Sequence, residues 1–256
     1  MILVFSFLMV SVGTVSAAAA GYDVVEQFGS QTVTIDGKWT NGDEWHDTAV
    51  QYMGTPQKGL FEYKVNSPDS YVTINIQLLL EFADNTNDAG DRWQICFGTG
   101  GSAATAPTSG DNKFEIEGHT TLKSYVGTGT GWSLTSNPTD MSWKDSLTSS
   151  PHDPATHYVL EVQFNKMTYS WGASYPPYGI KIAMYDASNP SQGWVSWPPT
   201  STDTNPSGWG QIASYNMDAY PEGLTVGLML AMSTVAVAFS ARYFRKPPKL
   251  RNETAH

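Results

Sequence analysis

The stretch YVTINIQLLLEF, residues 71–82, is the strongest strand signal in the sequence, because it is long enough to form a central β-strand. Similar runs recur on both sides of it, separated by clusters of Gly, Pro, Asn and Asp. The alternation of apolar and polar residues in VLEVQF (159–164) and IKIAMY (180–185) indicates antiparallel sheets with one polar face. Strands are predicted at 31–35, 59–66, 71–82, 92–97, 113–117, 121–126, 131–134, 157–165, 179–185 and 211–215.

Between residues 21 and 220 no segment has the period of a long amphipathic helix. The pattern therefore predicts an all-β protein, a two-sheet antiparallel β-sandwich. Two polar regions, 133–156 and 186–210, are predicted to be long irregular connections, and such loops commonly carry binding groups. The Gly-Thr repeat at 127–131 is predicted to be a hairpin turn.

The C-terminal part of the chain predicts a membrane anchor. Residues 223–244 form an apolar stretch with no charge before Arg242, and five basic residues follow between 242 and 251. About 20 apolar residues span a hydrocarbon core, and the basic flank predicts that this end is cytoplasmic. We therefore predict one C-terminal transmembrane helix at 223–244 and a basic cytoplasmic tail at 245–256. A buried helix of a soluble domain is the alternative.

The N-terminal end predicts export. Residues 1–20 are apolar and end in small residues that offer A-x-A-type cleavage sites, although no Lys or Arg precedes the apolar run. We predict a signal peptide at 1–20, with an uncleaved N-terminal anchor as the alternative. The extracellular sandwich domain would then cover residues 21–220 of a single-pass protein of the cell membrane.

Charge and cysteine content limit the partners of this domain. The chain carries a formal net charge of −10, so nucleic acid and anionic polymers are not expected to bind. The single cysteine, Cys96, lies in the apolar run 93–97 and is expected to be a buried core residue.

Several short motifs resemble family 9 carbohydrate-binding modules and the related DOMON-like sandwiches. The motifs are Ile35-Asp36-Gly37 and Asp43-Glu44-Trp45 near the start, the strand beginning at Asp91, the Glu161 strand, and Val195-Ser196-Trp197-Pro198 near the end. Their order extends over residues 32–214. The resemblance implies a jelly-roll-like sandwich that binds carbohydrate or, in some relatives, haem, without catalysis. Where the family commonly has an acidic residue after Phe97, this chain has Gly98-Thr99-Gly100. The C-terminal segment also resembles the anchors of archaeal surface proteins.

The acidic loop 84–91 is a candidate calcium site. Asp84, Asn87, Asp88 and Asp91 supply side-chain oxygens, the ligands that hard cations prefer, and Gly90 permits a turn. The spacing is not that of an EF-hand. The alternative is a solvated hairpin loop in which turn chemistry alone selects these residues.

Aromatic residues in the second half of the domain are candidate sugar platforms. Sugar rings present C–H patches that pack on aromatic faces, while neighbouring polar groups bind the hydroxyls. Trp143, Trp171, Tyr175 and Trp194 lie in polar contexts and are predicted to bind ligand. Trp45, Trp93 and Trp197 are predicted to be core residues.

Other chemistry has less support in the sequence. Haem would need axial ligands from the few Met and His residues, and there is no C-x-x-C-H motif. No G-x-S-x-G, H-E-x-x-H or phosphate-loop motif occurs, so we expect no enzyme activity. The sequence favours a non-catalytic surface protein that binds polysaccharide or envelope glycan. The alternative is a structural or adhesion component of the envelope without a small ligand.

Overall fold

The computed structural model describes residues 23–26, 31–66, 75–98, 104–165 and 178–214. By its contacts the chain divides after Ser214, and every described residue belongs to the unit that ends there. Within these ranges no helix is long and apolar enough to cross a membrane. The predicted signal peptide at 1–20, the helix at 223–244 and the tail at 245–256 lie outside them.

The described part is all-β and forms two sheets. The eight-stranded sheet runs in the order β1 (Asp23–Glu26), β13 (Gly210–Ser214), β11 (Tyr178–Tyr185), β5 (Arg92–Gly98), β6 (Asn112–Glu117), β7 (Thr121–Gly127) and β8 (Trp132–Thr135), with β12 (Val195–Trp197) also paired to β11. The five-stranded sheet runs β2 (Gln51–Met53), β3 (Gly59–Asn66), β4 (Asn75–Phe82), β10 (His157–Asn165) and β9 (Met141–Thr148). All described pairs are antiparallel except β1 with β13.

The two sheets pack face to face through one apolar core. In the central strands of both sheets alternate residues point inward, as expected for packed sheets. The ring centroids of Phe97 on β5 and Phe164 on β10 lie 5.2 Å apart in an edge-to-face arrangement across the core. Trp93 and Trp197 belong to this core, as predicted. The predicted two-sheet sandwich is therefore confirmed.

Strand β4, the described part of the stretch 71–82, is buried on both of its faces. On β4, Ile76, Leu78 and Leu80 point into the main core. Leu79 points the other way and packs with Val33 and Trp45 in a second, smaller cluster. Residues 31–48, here called the strap, form this second layer over the outer face of the five-stranded sheet. The LLL run therefore reflects burial on both faces.

Three sequence predictions differ from the structure. Residues 31–35 are not a strand. The backbone N–H of Thr34 donates to the carboxylate of Glu44, and that of Asp36 donates to the carboxylate of Glu161, so neither is bonded to a neighbouring strand. The regions 133–156 and 186–210 are not irregular throughout, because they contain the strands β9 and β12. The acidic loop 84–91 does not close a hairpin, because β4 and β5 belong to different sheets.

Candidate functional site

Buried charged residues of the five-stranded sheet form hydrogen bonds to the strap. Glu161 on β10 accepts hydrogen bonds from the backbone N–H groups of Asp36 and Gly37, both at 2.9 Å, and from the Trp45 indole at 3.0 Å. Lys64 on β3 donates to the carbonyl oxygen of Glu44 at 2.6 Å. The motifs at 35–37 and 43–45 therefore hold the strap on the sheet.

Gly37 is required where the strap meets the sheet. Its φ is +77°, and a Cβ at this position would lie 2.7 Å from the carbonyl carbon of Asp145. A side chain would meet backbone at this point, so only glycine permits the approach. The motif that carries the family resemblance is thus explained by packing, without a ligand.

The outer face of the eight-stranded sheet is different, because it forms the floor of an open cleft of about 400 Å³. This polar cleft lies beside the segment that contains Trp194 and β12. Its lining residues are Gln94, Glu115, Lys181, Trp194, Ser196 and the segment 200–203. The volume lies within the range of sites that bind small ligands.

Three neighbouring strands supply the polar floor of this cleft. Gln94 on β5 and Glu115 on β6 are cross-strand partners. Lys181 on β11 pairs with Cys96, two residues from Gln94 on β5. Lys181 Nζ donates to Gln94 Oε1 at 2.6 Å, and Gln94 Nε2 donates to Glu115 Oε1 at 3.2 Å. All three side chains are buried, although they are on the outer face. Donors and acceptors are therefore held in fixed positions at the bottom of a cleft.

The polar row continues to the wall of the cleft through Lys113. Lys113 Nζ lies 2.9 Å from Asp203 and 4.0 Å from Glu115. Burial alone would lower the pKa of Lys113, but the hydrogen bond and charge of Asp203 outweigh it, so the pKa is raised. Burial lowers the pKa of Lys181. The ion pair between Lys113 and Asp203 attaches the 200–203 segment to the sheet.

Trp194 forms the aromatic wall of the cleft. Its side chain is 42% exposed, and its ring centroid lies 5.9 Å from Lys181 Nζ. At the other end of the segment 194–203, the indole N–H of Trp209 donates to the carbonyl oxygen of Thr202 at 2.8 Å. An exposed aromatic ring thus stands next to a floor of hydrogen-bonding groups.

The other predicted ligand-binding aromatics are placed elsewhere. Trp143 lies on β9 of the five-stranded sheet, is half-buried and packs against the main core. Trp171 and Tyr175 lie outside the described residues. The structure therefore brings Trp194, but not Trp143, into the polar cleft.

Sequence reasoning did not find the cleft floor. Gln94, Glu115 and Lys181 are ordinary outward positions of alternating strands, and their burial depends on the distant segment 194–203. Polar residues at adjacent outward positions of three central strands were the available signal. Cys96, on the same face, is fully buried, as predicted, and burial raises the pKa of its thiol to about 12.

A second candidate site involves part of the acidic loop. Carboxylate oxygens of Asp84, Asp91 and Asp186 lie within 4.8 Å of one another, and all three residues are buried. Burial raises the pKa of Asp84, and the charges of Asp91 and Asp186 add to this effect. Asn87 is exposed and Asp88 is half-buried. The structure thus groups Asp186, rather than Asn87 and Asp88, with the ends of the loop.

Asp91 is fixed by several hydrogen bonds. Its Oδ1 accepts from the backbone N–H of Ala187 at 2.8 Å. Its Oδ2 accepts from the backbone N–H of Asp88 at 2.9 Å and lies 3.1 Å from Nε2 of His119. The Asp91 carboxylate is therefore oriented by backbone N–H groups and an imidazole ring.

Comparison with known proteins agrees with this fold. No protein-family model matches the sequence, and no curated protein matches it. A carbohydrate-binding module of family 9 from Caldicellulosiruptor kristjanssonii, in complex with cellotriose, is similar in structure with a TM-score of 0.54 and 13% sequence identity. The match covers 78% of this chain and 96% of that chain.

A structure of a family 9 module from the same organism in complex with glucose has a TM-score of 0.49 and 12% identity, covering 78% of this chain and all of that chain. The likeness to the cellotriose complex shows the fold at this level of identity, and it confirms the expected family 9-like sandwich.

Proposed function

We propose that this protein is a non-catalytic carbohydrate-binding module that binds polysaccharide or surface glycan in the polar cleft. The observation that carries the proposal is the half-exposed Trp194 ring beside the buried polar floor of Gln94, Glu115 and Lys181. A sugar ring has one apolar C–H face and an edge of hydroxyl groups, which match these two kinds of surface. The module of similar fold that binds cellotriose supports the same class of ligand.

The floor has the donor and acceptor content that hydroxyl groups need. Glu115 provides acceptors, the ammonium of Lys181 provides donors, and the amide of Gln94 provides both. Because these groups already bond to one another, a ligand does not have to order them, which lowers the entropy cost of binding. The arrangement favours a neutral sugar, since positive and negative groups alternate along the row.

A panel of soluble glycans and insoluble polysaccharides tests the proposal with the full-length chain. A detergent without a sugar headgroup is appropriate because residues 223–244 are predicted to be a membrane helix. We expect binding to at least one glycan, and weaker binding by Lys181→Met and Trp194→Ala with unchanged folding. Self-association without binding to any glycan would contradict the proposal and favour a structural or adhesion role in the envelope.

We also propose that a divalent cation such as calcium binds at Asp84, Asp91 and Asp186. Three buried carboxylates with oxygens within 4.8 Å repel one another, and a bound cation would remove that repulsion. We expect calcium chloride to raise the melting temperature of the protein, and Asp186→Asn to abolish the increase. Asp88→Asn is the matched control, since Asp88 lies in the same loop but outside the group. An unchanged melting temperature in calcium would contradict the site.

The location at the cell membrane remains a proposal that rests on the sequence of residues 223–251. The proposed topology is one span, with the sandwich outside and the C-terminus in the cytoplasm. Protease treatment of intact cells should remove the sandwich and leave a tag at the C-terminus protected. Recovery of the whole protein in the soluble fraction would contradict the anchor.

A further inference from the structure

A second cleft, of about 370 Å³, adjoins the polar cleft. It lies between β2 with the turn that follows it and the segment that contains Trp194 and β12. Trp194, Ser196 and Thr200 line both clefts. Strands β2 and β12 are in contact below this boundary. The two clefts are therefore neighbours that share one wall.

The second cleft contains the exposed aromatic residues of the described chain. Four large hydrophobic side chains are exposed in the described ranges, and only two of these are aromatic, Tyr52 at 58% and Trp194 at 42%. Both line this cleft. Single exposed aromatic rings are common on protein surfaces, but two that line one cleft form an apolar patch of the kind that marks ligand-binding surfaces.

The two clefts differ in chemistry. The polar cleft has a charged and amide floor, whereas the second cleft is lined by Tyr52, Trp194 and neutral groups such as Gln192, with Lys58 as its charged residue. A ring in the second cleft would thus be held mainly by aromatic contact and by few hydrogen bonds. This is the chemistry of a neighbouring subsite that adds affinity, while the polar cleft selects the sugar.

The residue at the junction is held in an unfavourable backbone conformation. Thr200 has a φ of +64°, which is uncommon for a β-branched residue. The segment keeps this shape because the Ser201 backbone N–H and hydroxyl both bond to the carbonyl oxygen of Pro198, at 3.2 and 2.7 Å. The shared wall is therefore a defined surface of the segment 198–201.

We infer that the second cleft binds a further sugar residue of the same glycan, so that the ligand is an oligosaccharide or polysaccharide segment that extends past Trp194 onto Tyr52. This inference rests on the proposed function of the polar cleft. It specifies in addition that the ligand is longer than one sugar residue, and that the glycan leaves the polar cleft in the direction of Tyr52.

Titration of the full-length protein with glucose, cellobiose, cellotriose and cellotetraose tests this inference. We expect affinity to increase with length. Tyr52→Ala should lower the affinity for cellotriose about three- to tenfold and leave that for glucose unchanged, because only the longer ligand contacts Tyr52. Tyr52→Phe should keep the affinity. Leu134→Ala, which removes another exposed large side chain outside both clefts, is the matched control.

The outcomes separate the two proposals. Equal affinity for all four sugars, or an equal loss for glucose and cellotriose in Tyr52→Ala, would overturn the extended site and leave the polar cleft as a single-sugar site. Absence of binding for all four sugars, in a protein whose unfolding is cooperative, would overturn the extended site together with the proposed function for this class of glycan.

Discussion

The two outer faces of the sandwich carry similar residues and use them differently. The five-stranded sheet buries Lys64 and Glu161 beneath the strap, where they bond to the backbone and the indole of their own chain. The eight-stranded sheet also buries Glu115 and Lys181, but at the floor of an open cleft. Buried polar residues on an outer face therefore indicate a binding site only where the chain leaves the space above them free.

The substitution Glu161→Ala tests whether the buried carboxylate beneath the strap stabilises the fold, and it has the largest expected effect. The substitution removes the acceptor of three N–H groups, of which those of Gly37 and Trp45 are buried, and each unsatisfied buried group costs about 1–3 kcal/mol. We expect a loss of about 3–5 kcal/mol in the free energy of unfolding, measured by urea denaturation of the full-length chain.

Glu115→Ala is the control on the other face. Because water can enter the open cleft, we expect it to cost about 1 kcal/mol or less in stability and to weaken glycan binding. Equal destabilisation by the two substitutions would show that the faces do not differ in the way described.

Trp143→Ala tests whether an aromatic residue of the five-stranded sheet takes part in binding. The ring packs against the main core, so its removal should cost about 2–3 kcal/mol in stability. We expect the affinity for glycan to be unchanged in titrations at temperatures where the variant stays folded. A loss of affinity in this folded variant would extend the binding surface to a face that we assign to packing.

The pH dependence of stability tests the strap face in particular, because buried carboxyl groups on this face have raised pKa values. Burial raises the pKa values of Glu62 and Glu161 to about 7, although hydrogen bonds oppose the shift. The folded state thus holds protons that the unfolded chain releases near pH 4.5. This stabilisation is complete below pH 4.5 and is lost as the pH rises through about 7.

His157 changes stability in the same direction. Burial would lower its pKa, but the hydrogen bond to Glu81 and the charges nearby raise it, so its contribution is also lost with rising pH. We expect the free energy of unfolding to fall by about 1–3 kcal/mol between pH 5 and pH 8. Calorimetric melting temperatures across this range measure the effect, and Glu62→Gln should flatten it. A rise in stability over the same range would contradict the assignment.

The smallest expected change in free energy comes from Trp194→Ala. Removal of an exposed ring should leave the stability within about 0.5 kcal/mol of that of the parent protein. It should lower the affinity for glycan about tenfold, which corresponds to about 1.4 kcal/mol. Titration calorimetry with cellotriose measures the affinity. Unchanged affinity would remove Trp194 from the site.

Most of the longer strands were predictable because they alternate or present a continuous apolar run, whereas β1, β2, β9 and β12 were not predicted. β3 and β10 have the predicted boundaries, and β4, β5 and β11 lie within a residue or two of them over the described ranges. The strap was mistaken for a strand because Val33 and Ile35 alternate with polar residues, while its backbone bonds to side chains that come from 125 residues further along. Local patterns do not contain such long-range partners.

The candidate site was only partly predictable, for the same reason. Trp194 stood out as an aromatic residue in a polar loop, and the structure places it in the cleft. Asp186 was not associated with Asp84 and Asp91, because a distance of about a hundred residues in sequence hides their proximity in space. The floor residues Gln94, Glu115 and Lys181 become a group only when three strands are aligned in their register.

The central claim is that glycan binds on the open outer face and not on the face that the strap covers. The indole N–H signals of the nine tryptophans report on this directly in NMR spectra recorded with increasing cellotriose, after assignment by single Trp→Phe variants. We predict that the Trp194 signal shifts and saturates, while the Trp45 signal, bonded to Glu161 beneath the strap, stays in place. A shift of Trp45 without a shift of Trp194, or no shift of either signal, would contradict the account.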